Sequence, residues 1–231
     1  IGIPDGRDYV VEGTSGNDSI DIGYMGDPDD DRIDESDNTA GNNDDVIQAG
    51  AGDDTIKSHY GNDSVDAGDG NDSVWGGAGD DTILGGAGSD TLKAGIGSDL
   101  VDGGDGDDSL EGREDDDTII GGGGRDVLIG GEGDDLMEGG DGDDWFVVYA
   151  SSFGNDTVVG GETGDDQHGD ELSFGPLSSD LTVDLTQGAG GASNGESGVV
   201  TDGTNTINFS EIERLRTGTG DDSILGSDQD D

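Results

Sequence analysis

Carboxylates at a fixed nine-residue spacing are the side chains of this sequence that could do chemistry. Cut every nine residues from Ala40, the chain gives twelve units without a gap to Val147, and the sixth position is Asp in all of them. Similar cores flank this block. The candidate metal ligands are therefore Asp18, Asp45, Asp54, Asp63, Asp72, Asp81, Asp90, Asp99, Asp108, Asp117, Asp126, Asp135, Asp144, Asp156 and Asp222.

Glycines beside these carboxylates indicate which metal they would bind. The second and fourth positions are each Gly in ten of the twelve units, the exceptions being His59, Arg113, Asn43 and Asp115. Glycine turns expose backbone carbonyl groups, and a carboxylate together with carbonyls is the oxygen set that Ca²⁺ takes. Zinc prefers nitrogen and sulfur, and magnesium requires a tighter octahedron. The predicted cofactor is calcium, in multiple copies.

Catalysis is the alternative use of paired carboxylates. Glycoside hydrolysis needs two carboxyl groups in distinct environments, whereas pairs such as Asp53-Asp54 recur here in equivalent surroundings. The only two histidines, His59 and His168, occupy glycine-rich or acidic turns. We therefore expect these residues to contain no enzyme.

The elements that position the carboxylates are short strands. The eighth position is apolar in all twelve units, and the last three residues of a unit, such as Thr55-Ile56-Lys57, alternate as a strand requires. Each unit is interpreted as a six-residue turn and a three-residue strand. Two units make one coil, and stacked coils give two parallel sheets with the eighth-position side chains between them. The predicted fold class is all-β.

Composition makes this fold dependent on a cation. The 231 residues include 58 acidic and 8 basic ones, a net charge of −50, no cysteine and 27% hydrophobic residues. Such a chain has a small core and stacked carboxylates that repel, so without a cation it is expected to be disordered. The charge excludes nucleic acids and anionic membranes as partners. The longest apolar run, Trp145–Ala150, is too short for membrane insertion.

The units "GGAGDDTIL", "GGGGRDVLI" and "GGEGDDLME" match the pattern G-G-x-G-x-D-x-U-x, and the chain thereby resembles the RTX (repeat-in-toxin) hemolysin-type calcium-binding family. The resemblance implies a right-handed parallel β-roll in which calcium lies between one turn and the turn two units later. It implies about ten ions in the phased block, type I secretion from a Gram-negative bacterium, and an extracellular or cell-surface location.

Two functions remain open at this point. The chain is either a structural module that folds on calcium after secretion, as a rigid spacer, adhesin, or matrix or filament element, or the RTX segment of a larger secreted enzyme or toxin. In the second case the catalytic domain, such as a protease, lipase or epimerase, would lie outside the chain.

Four regions are expected along the chain. Residues 1–39 hold partial repeats and an acidic loop, and residues 40–147 the twelve phased units. Residues 148–216 form a non-repetitive β extension or cap, and residues 217–231 a further partial repeat. The acidic loop is either solvated or holds an extra ion at Asp27, Asp29, Asp30 and Asp31. The segment "SEIERLR" is either a helical turn or a strand.

Two further expectations concern contacts with partners. Lys57, Trp75 and Lys93 all occupy the ninth position two units apart, so they should stack on one sheet face. They form either a contact patch for an acidic surface or a sugar, or a ladder that breaks up acidic repulsion. The partial repeat at the end of the sequence favours head-to-tail self-association, with calcium bridged by Asp228, Asp230 and Asp231, unless that end is simply frayed.

Overall fold

The computed structural model describes residues 10–21, 44–149, 153–161, 169–175, 180–184 and 196–225. Within these ranges the chain forms twenty-one β-strands and no α-helix. It follows that no helix there is long and apolar enough to cross a membrane. The all-β class expected from the sequence is confirmed.

The strands alternate between two sheets as the chain advances. The first sheet contains, in spatial order, β1 (Val10–Glu12), β3 (Val46–Ala51), β5 (Ser64–Asp69), β7 (Thr82–Ala87), β9 (Leu100–Asp105), β11 (Thr118–Gly123), β13 (Leu136–Asp141), β15 (Asn155–Val159), β19 (Thr206–Ile212), β18 (Glu196–Thr201), β17 (Thr182–Asp184) and β21 (Ser223–Leu225). The second sheet contains β2 (Ser19–Ile20), β4 (Thr55–Tyr60), β6 (Ser73–Ala78), β8 (Thr91–Ile96), β10 (Ser109–Glu114), β12 (Val127–Glu132), β14 (Trp145–Val148), β16 (Glu171–Phe174) and β20 (Arg214–Arg216).

Register within each sheet follows the double repeat. Each phased strand pairs in parallel with the strand two units away, as Ile47 does with Val65 and Ile56 with Val74. One coil is therefore two units, and successive coils stack directly on one another. This arrangement is a parallel β-roll, as the sequence predicts.

The strands of the roll are longer than expected. The predicted three-residue strand is wrong, because the chain pairs continuously over six residues, from the seventh position of one unit to the third position of the next. The glycine at the second position lies within the ladder, as the pairing of Gly50 with Gly68 shows. Only the fourth to sixth positions are left to turn the chain. Glycine permits this since it pairs through its backbone while occupying positive φ.

Three positions of each unit point into the roll. The eighth-position side chains form one continuous apolar core, and the sixth-position Asp and the first-position residue are buried on either side of them in sequence. The first position holds only Gly, Ala or Ser, because opposite walls of a narrow roll leave no room for a larger side chain. The interior therefore alternates carboxylate, apolar group and small residue, with the period of two of a strand.

Beyond the phased units the roll continues but becomes irregular. Strands β15 and β19 extend the first sheet and β16 and β20 the second, all in parallel, whereas β18 pairs antiparallel with both β17 and β19. The segment "SEIERLR" is strand rather than helix. Phe153 and Phe174 fill the interior here, in an edge-to-face contact with ring centroids 6.0 Å apart.

Adjacent glycines provide a test of this backbone. Gly122 has a φ of 107° and a Cβ there would collide with the carbonyl oxygen of Gly104, whereas a Cβ on Gly123 would meet nothing closer than Asp105 Oδ1 at 3.8 Å. We expect Gly122→Ala to lower the free energy of unfolding by more than the ~1–2 kcal/mol of a left-handed non-glycine residue. Gly123→Ala should change it little. Urea unfolding at fixed calcium measures both, and equal effects would contradict the assigned register.

Candidate metal centre

The sixth-position aspartates form two columns inside the roll, here called the inner ladders. In each, the backbone N–H of one Asp donates to Oδ1 of the Asp one coil later, as Asp72 does to Asp90 at 2.7 Å. One inner ladder runs through Asp45, Asp63, Asp81, Asp99, Asp117, Asp135 and Asp156. The other runs through Asp18, Asp54, Asp72, Asp90, Asp108, Asp126, Asp144 and Asp170.

In ten of these side chains the second carboxylate oxygen is buried without a hydrogen bond. This holds for Oδ2 of Asp54, Asp63, Asp72, Asp81, Asp90, Asp99, Asp108, Asp117, Asp126 and Asp135. A buried carboxylate oxygen that lacks a partner carries the full cost of losing water. A repeated set of such oxygens indicates a ligand that binds oxygen and carries positive charge.

Backbone carbonyls converge on the same oxygens. A Cβ built on Gly103 would lie 2.5 Å from Asp108 Oδ2 and 2.6 Å from the carbonyl oxygen of Gly121, one coil later. Gly85 is placed in the same way against Asp90 and Gly103. The missing side chain at the first position thus leaves a cradle between a carboxylate and a carbonyl, and its donors are all oxygen, which fits calcium.

Side chains by themselves do not make a metal site here. Among the residues that the structure describes, there is no group of three or more His, Cys, Asp or Glu side chains that could hold an ion. Each cradle would have to combine carboxylates from neighbouring coils with main-chain oxygens. Such a site therefore depends on the register between coils, which brings the main-chain oxygens close to the carboxylates, as much as on the aspartates themselves.

A comparison with protein-family models decides the family. The model described as the RTX calcium-binding nonapeptide repeat matches residues 39–74, 75–110, 111–146 and 209–231, more than half of the chain. The chain belongs to this RTX family. No curated protein matches it. The β-roll is accordingly a calcium-binding module, while the ligand assignment of each Asp and the count of about ten ions stay predictions.

Fifth-position residues of the RTX repeats form a separate, exposed ladder. Its hydrogen bonds run along the roll in the opposite direction to those of the inner ladders. Here a side-chain oxygen accepts the backbone N–H one coil later, as Asp53 Oδ1 does from Asn71 at 3.0 Å and Asp107 Oδ1 from Arg125 at 3.0 Å. These backbone hydrogen bonds, with the side-chain bonds from the same two residues, lower the pKa of Asp53 and Asp107. Asp53 and Asp107 are therefore stable carboxylates at the surface.

In the inner ladders, burial raises the pKa of the carboxyl groups. Loss of water raises the pKa of Asp63, Asp72, Asp90, Asp99, Asp108 and Asp135 to about 6, of Asp81 and Asp126 to about 7, and of Asp117 and Asp156 to about 8. The hydrogen bond from the preceding coil opposes this rise but does not cancel it. The metal-free roll thus binds protons at these carboxyls more tightly than an unfolded Asp does.

The flanking candidates lie at the margins of this arrangement. Asp18 is half-buried, and its Oδ2 accepts from the backbone N–H of Thr14 at 2.7 Å. Asp222 accepts from the N–H of Leu181 at 3.0 Å, a bond like those of the inner ladders. It lies directly before β21, at the edge of the first sheet and apart from both columns. Asp27, Asp29, Asp30, Asp31, Asp228, Asp230 and Asp231 lie outside the described residues, as does His168.

Asp170 is a ladder residue that sequence analysis missed. It is fully buried, and its Oδ1 accepts from the N–H of Asp144 at 2.7 Å. Its own N–H donates to Glu213 Oε2 at 2.7 Å, so a longer acidic side chain follows it in the column. The available signal was Asp170-Glu171-Leu172, an Asp two residues before an apolar residue, outside the nine-residue phase.

Substitutions at the fifth and sixth positions test the ladder assignment. Asp90→Asn and Asp99→Asn keep an oxygen for the backbone bond but remove the buried charge, so we expect each to raise the calcium midpoint of folding several-fold. Asp107→Asn alters an exposed fifth-position residue and Asp143→Asn a half-buried one, and each should shift the midpoint less than about twofold. Calcium titrations followed by circular dichroism measure the four midpoints, and equal shifts would refute the assignment.

Acid should promote folding of the metal-free chain. Ladder carboxyls have a folded-state pKa of about 6 to 8, above the value of an unfolded Asp, so the roll binds protons more tightly than the unfolded chain. Its stability therefore rises as the pH falls from about 8 towards 4. With calcium the dependence should reverse, because protons compete for the ligands. Circular dichroism at pH 7.5 and pH 5 without divalent cations tests this, and no gain of β-structure at pH 5 would contradict it.

Proposed function

We propose that the chain is an extracellular structural module that is unfolded without calcium and becomes a rigid β-roll when calcium binds. The observation that carries this proposal is the pair of inner ladders, in which buried carboxylate oxygens lack hydrogen-bond partners. An apolar core of single Ile, Leu and Val side chains per unit is too small to offset so many buried charges. Without a cation, the buried carboxylates destabilise the folded roll. A cation that binds their oxygens would make the same carboxylates stabilise it.

The residues that would hold calcium are the inner-ladder aspartates together with the backbone carbonyls of the turns. Asp108 and the carbonyl oxygen of Gly121 flank one such cradle beside Gly103. When bound, calcium supplies positive charge and a flexible coordination sphere of six to eight oxygens. The chain itself supplies the alignment, since each carboxylate is oriented by the amide of the preceding coil.

The difference in calcium concentration between the cytosol and the exterior would restrict this folding step to the outside of the cell. Extracellular calcium modules work at dissociation constants of about 10⁻⁴ to 10⁻³ M, far above cytosolic calcium. A chain that stays unfolded inside the cell remains competent for export, as the secretion of RTX proteins by Gram-negative bacteria implies. Folding would then follow release and would be coupled to metal binding.

The module's role is proposed to be mechanical rather than catalytic. Its carboxylates recur in equivalent positions, and its stacked coils make a stiff rod suited to a spacer, adhesin or matrix element. An RTX segment attached to a secreted enzyme or toxin would fold by the same chemistry. The reading frame that encodes the chain distinguishes the two cases, because a catalytic motif beside these residues would favour the second.

Removal of calcium is the direct test. In EDTA we expect a far-UV circular dichroism spectrum of a disordered chain, because the inner-ladder carboxylates repel at neutral pH. Millimolar calcium should restore a β-spectrum cooperatively, since each cradle spans neighbouring coils. Magnesium at the same concentration serves as the control and should not restore it. A β-roll that persists in EDTA at pH 7.5 would overturn the proposal.

A further inference from the structure

Basic and aromatic side chains are distributed unequally between the two sheets. In the described residues, every Lys, His, Trp and Tyr and every Arg except Arg125 lies on the second sheet or directly beside one of its strands, whereas the strands of the first sheet contain none of these types. The residues concerned are Lys57, His59, Tyr60, Trp75, Lys93, Arg113, Trp145, Tyr149, Arg214 and Arg216. Arg125 lies in the turn between β11 and β12. Although the chain has a net charge of −50, the face formed by the second sheet thus carries basic and aromatic side chains.

A groove runs along this face, parallel to the axis of the roll. It has a volume of about 720 Å³ and crosses the strands from β4 to β14, a distance of about 24 Å at the spacing of strands in a sheet. Glycines such as Gly77, Gly95 and Gly131 form its floor, so a ligand can approach the backbone. Tyr60 and Trp75 stand in its wall, with 61% and 49% of their surface exposed.

Two strained residues place their side chains in the same groove. His59 and Arg113 replace the second-position glycine, and they keep its positive φ, at 76° and 104°. Both line the groove. A non-glycine residue pays for this conformation, and such strain is typical of functional sites. The two departures from glycine at the second position therefore coincide with one surface feature, whereas Asp115, a departure at the fourth position with a φ of 74°, lies outside it.

The basic groups in the groove are paired rather than free, and the groove also contains the carboxylates of Glu114 and Glu132. Asp21 contacts Lys57 Nζ at 3.1 Å and His59 Nε2 at 2.6 Å, and Glu111 accepts from Arg113 Nε at 3.1 Å. Paired groups of this kind still offer donors and acceptors to hydroxyl groups. A polyanion, by contrast, would find the nearby cations already neutralised and would be repelled by the acidic rod.

We infer that this groove binds an uncharged polysaccharide chain on the folded roll. Exposed aromatic rings, a floor formed partly by glycine backbone, and paired polar groups match the alternating apolar faces and hydroxyl rims of sugar rings. Trp75 and Tyr60 provide the stacking surfaces, and His59, Arg113 and Glu111 provide hydrogen bonds to hydroxyls. This adds a ligand site to the proposed calcium-dependent scaffold and explains why Trp75 stands between Lys57 and Lys93 in register.

Tryptophan fluorescence can isolate the groove, because the chain has only two Trp. Trp145 is similarly exposed, at 44%, on the same sheet but outside the groove. In Trp145→Phe the remaining Trp75 should shift its emission and gain protection from acrylamide when hydroxyethylcellulose or galactomannan is added in calcium. In Trp75→Phe the remaining Trp145 should not respond. A response from Trp145 alone, or from neither Trp with either polymer, would overturn the assignment.

Affinity electrophoresis in calcium tests the individual residues. Hydroxyethylcellulose should retard the wild-type chain, and Trp75→Ala should weaken binding about tenfold or more, as truncation of an aromatic anchor does. Trp145→Ala, the matched control, should change it less than about twofold. Arg113→Gly restores the repeat pattern, so it should weaken binding while the calcium midpoint of folding stays the same or falls.

Three results would contradict the inference. The first is stronger retardation by carboxymethylcellulose, an anionic polymer with the same backbone, which would indicate a polyanion site. The second is equal losses for the two Trp variants. The third is unchanged binding by Arg113→Gly. Each variant's β-spectrum in calcium is recorded first, so that a failure of calcium-dependent folding is distinguished from a failure of polysaccharide binding.

Discussion

Burial of a stacked carboxylate is the constraint on which the rest of this structure depends. From the second member of each column onward, an inner-ladder Asp accepts an N–H from the preceding coil through one of its two oxygens, as Asp90 does from Asp72. The other oxygen faces the interior, where burial raises the pKa of the side chain. The glycine at the first position, the short turn and the direct stacking of coils all serve to bring carbonyl oxygens to the same place.

Neighbouring aspartates have opposite roles because the strand alternates. Asp107 and Asp108 are adjacent in sequence and chemically identical, yet one lies at the surface with a lowered pKa and the other inside with a pKa raised to about 6. The outer carboxylate accepts from the coil after it and the inner one from the coil before it. Each turn is thereby tied to both neighbouring coils, which makes the stack continuous in both directions.

In this roll, inward-facing and outward-facing positions have separate roles. The metal chemistry uses the sixth position and the main chain, so outward positions on the two sheets are free to differ. On the first sheet they remain acidic or neutral, and on the second they include basic and aromatic residues, of which those around Trp75 line one groove. His59 and Arg113, which line this groove, have positive φ without being glycine, so the backbone there is strained.

The repeat by itself determined the coil of two units, the inward eighth position and the carboxylate columns, because an uninterrupted nine-residue phase allows only one way to stack. It also determined the preference for calcium, through an oxygen-only donor set. The six-residue strands, the place of Asp170 in a column and the position of Trp75 in a groove were decided by the tertiary structure. Asp170 lies 26 residues after Asp144, its ladder partner, and the groove joins side chains from strands β4 to β14. These contacts between distant residues depend on how the coils align with one another. Outside the regular nine-residue repeat, the local sequence does not specify that alignment.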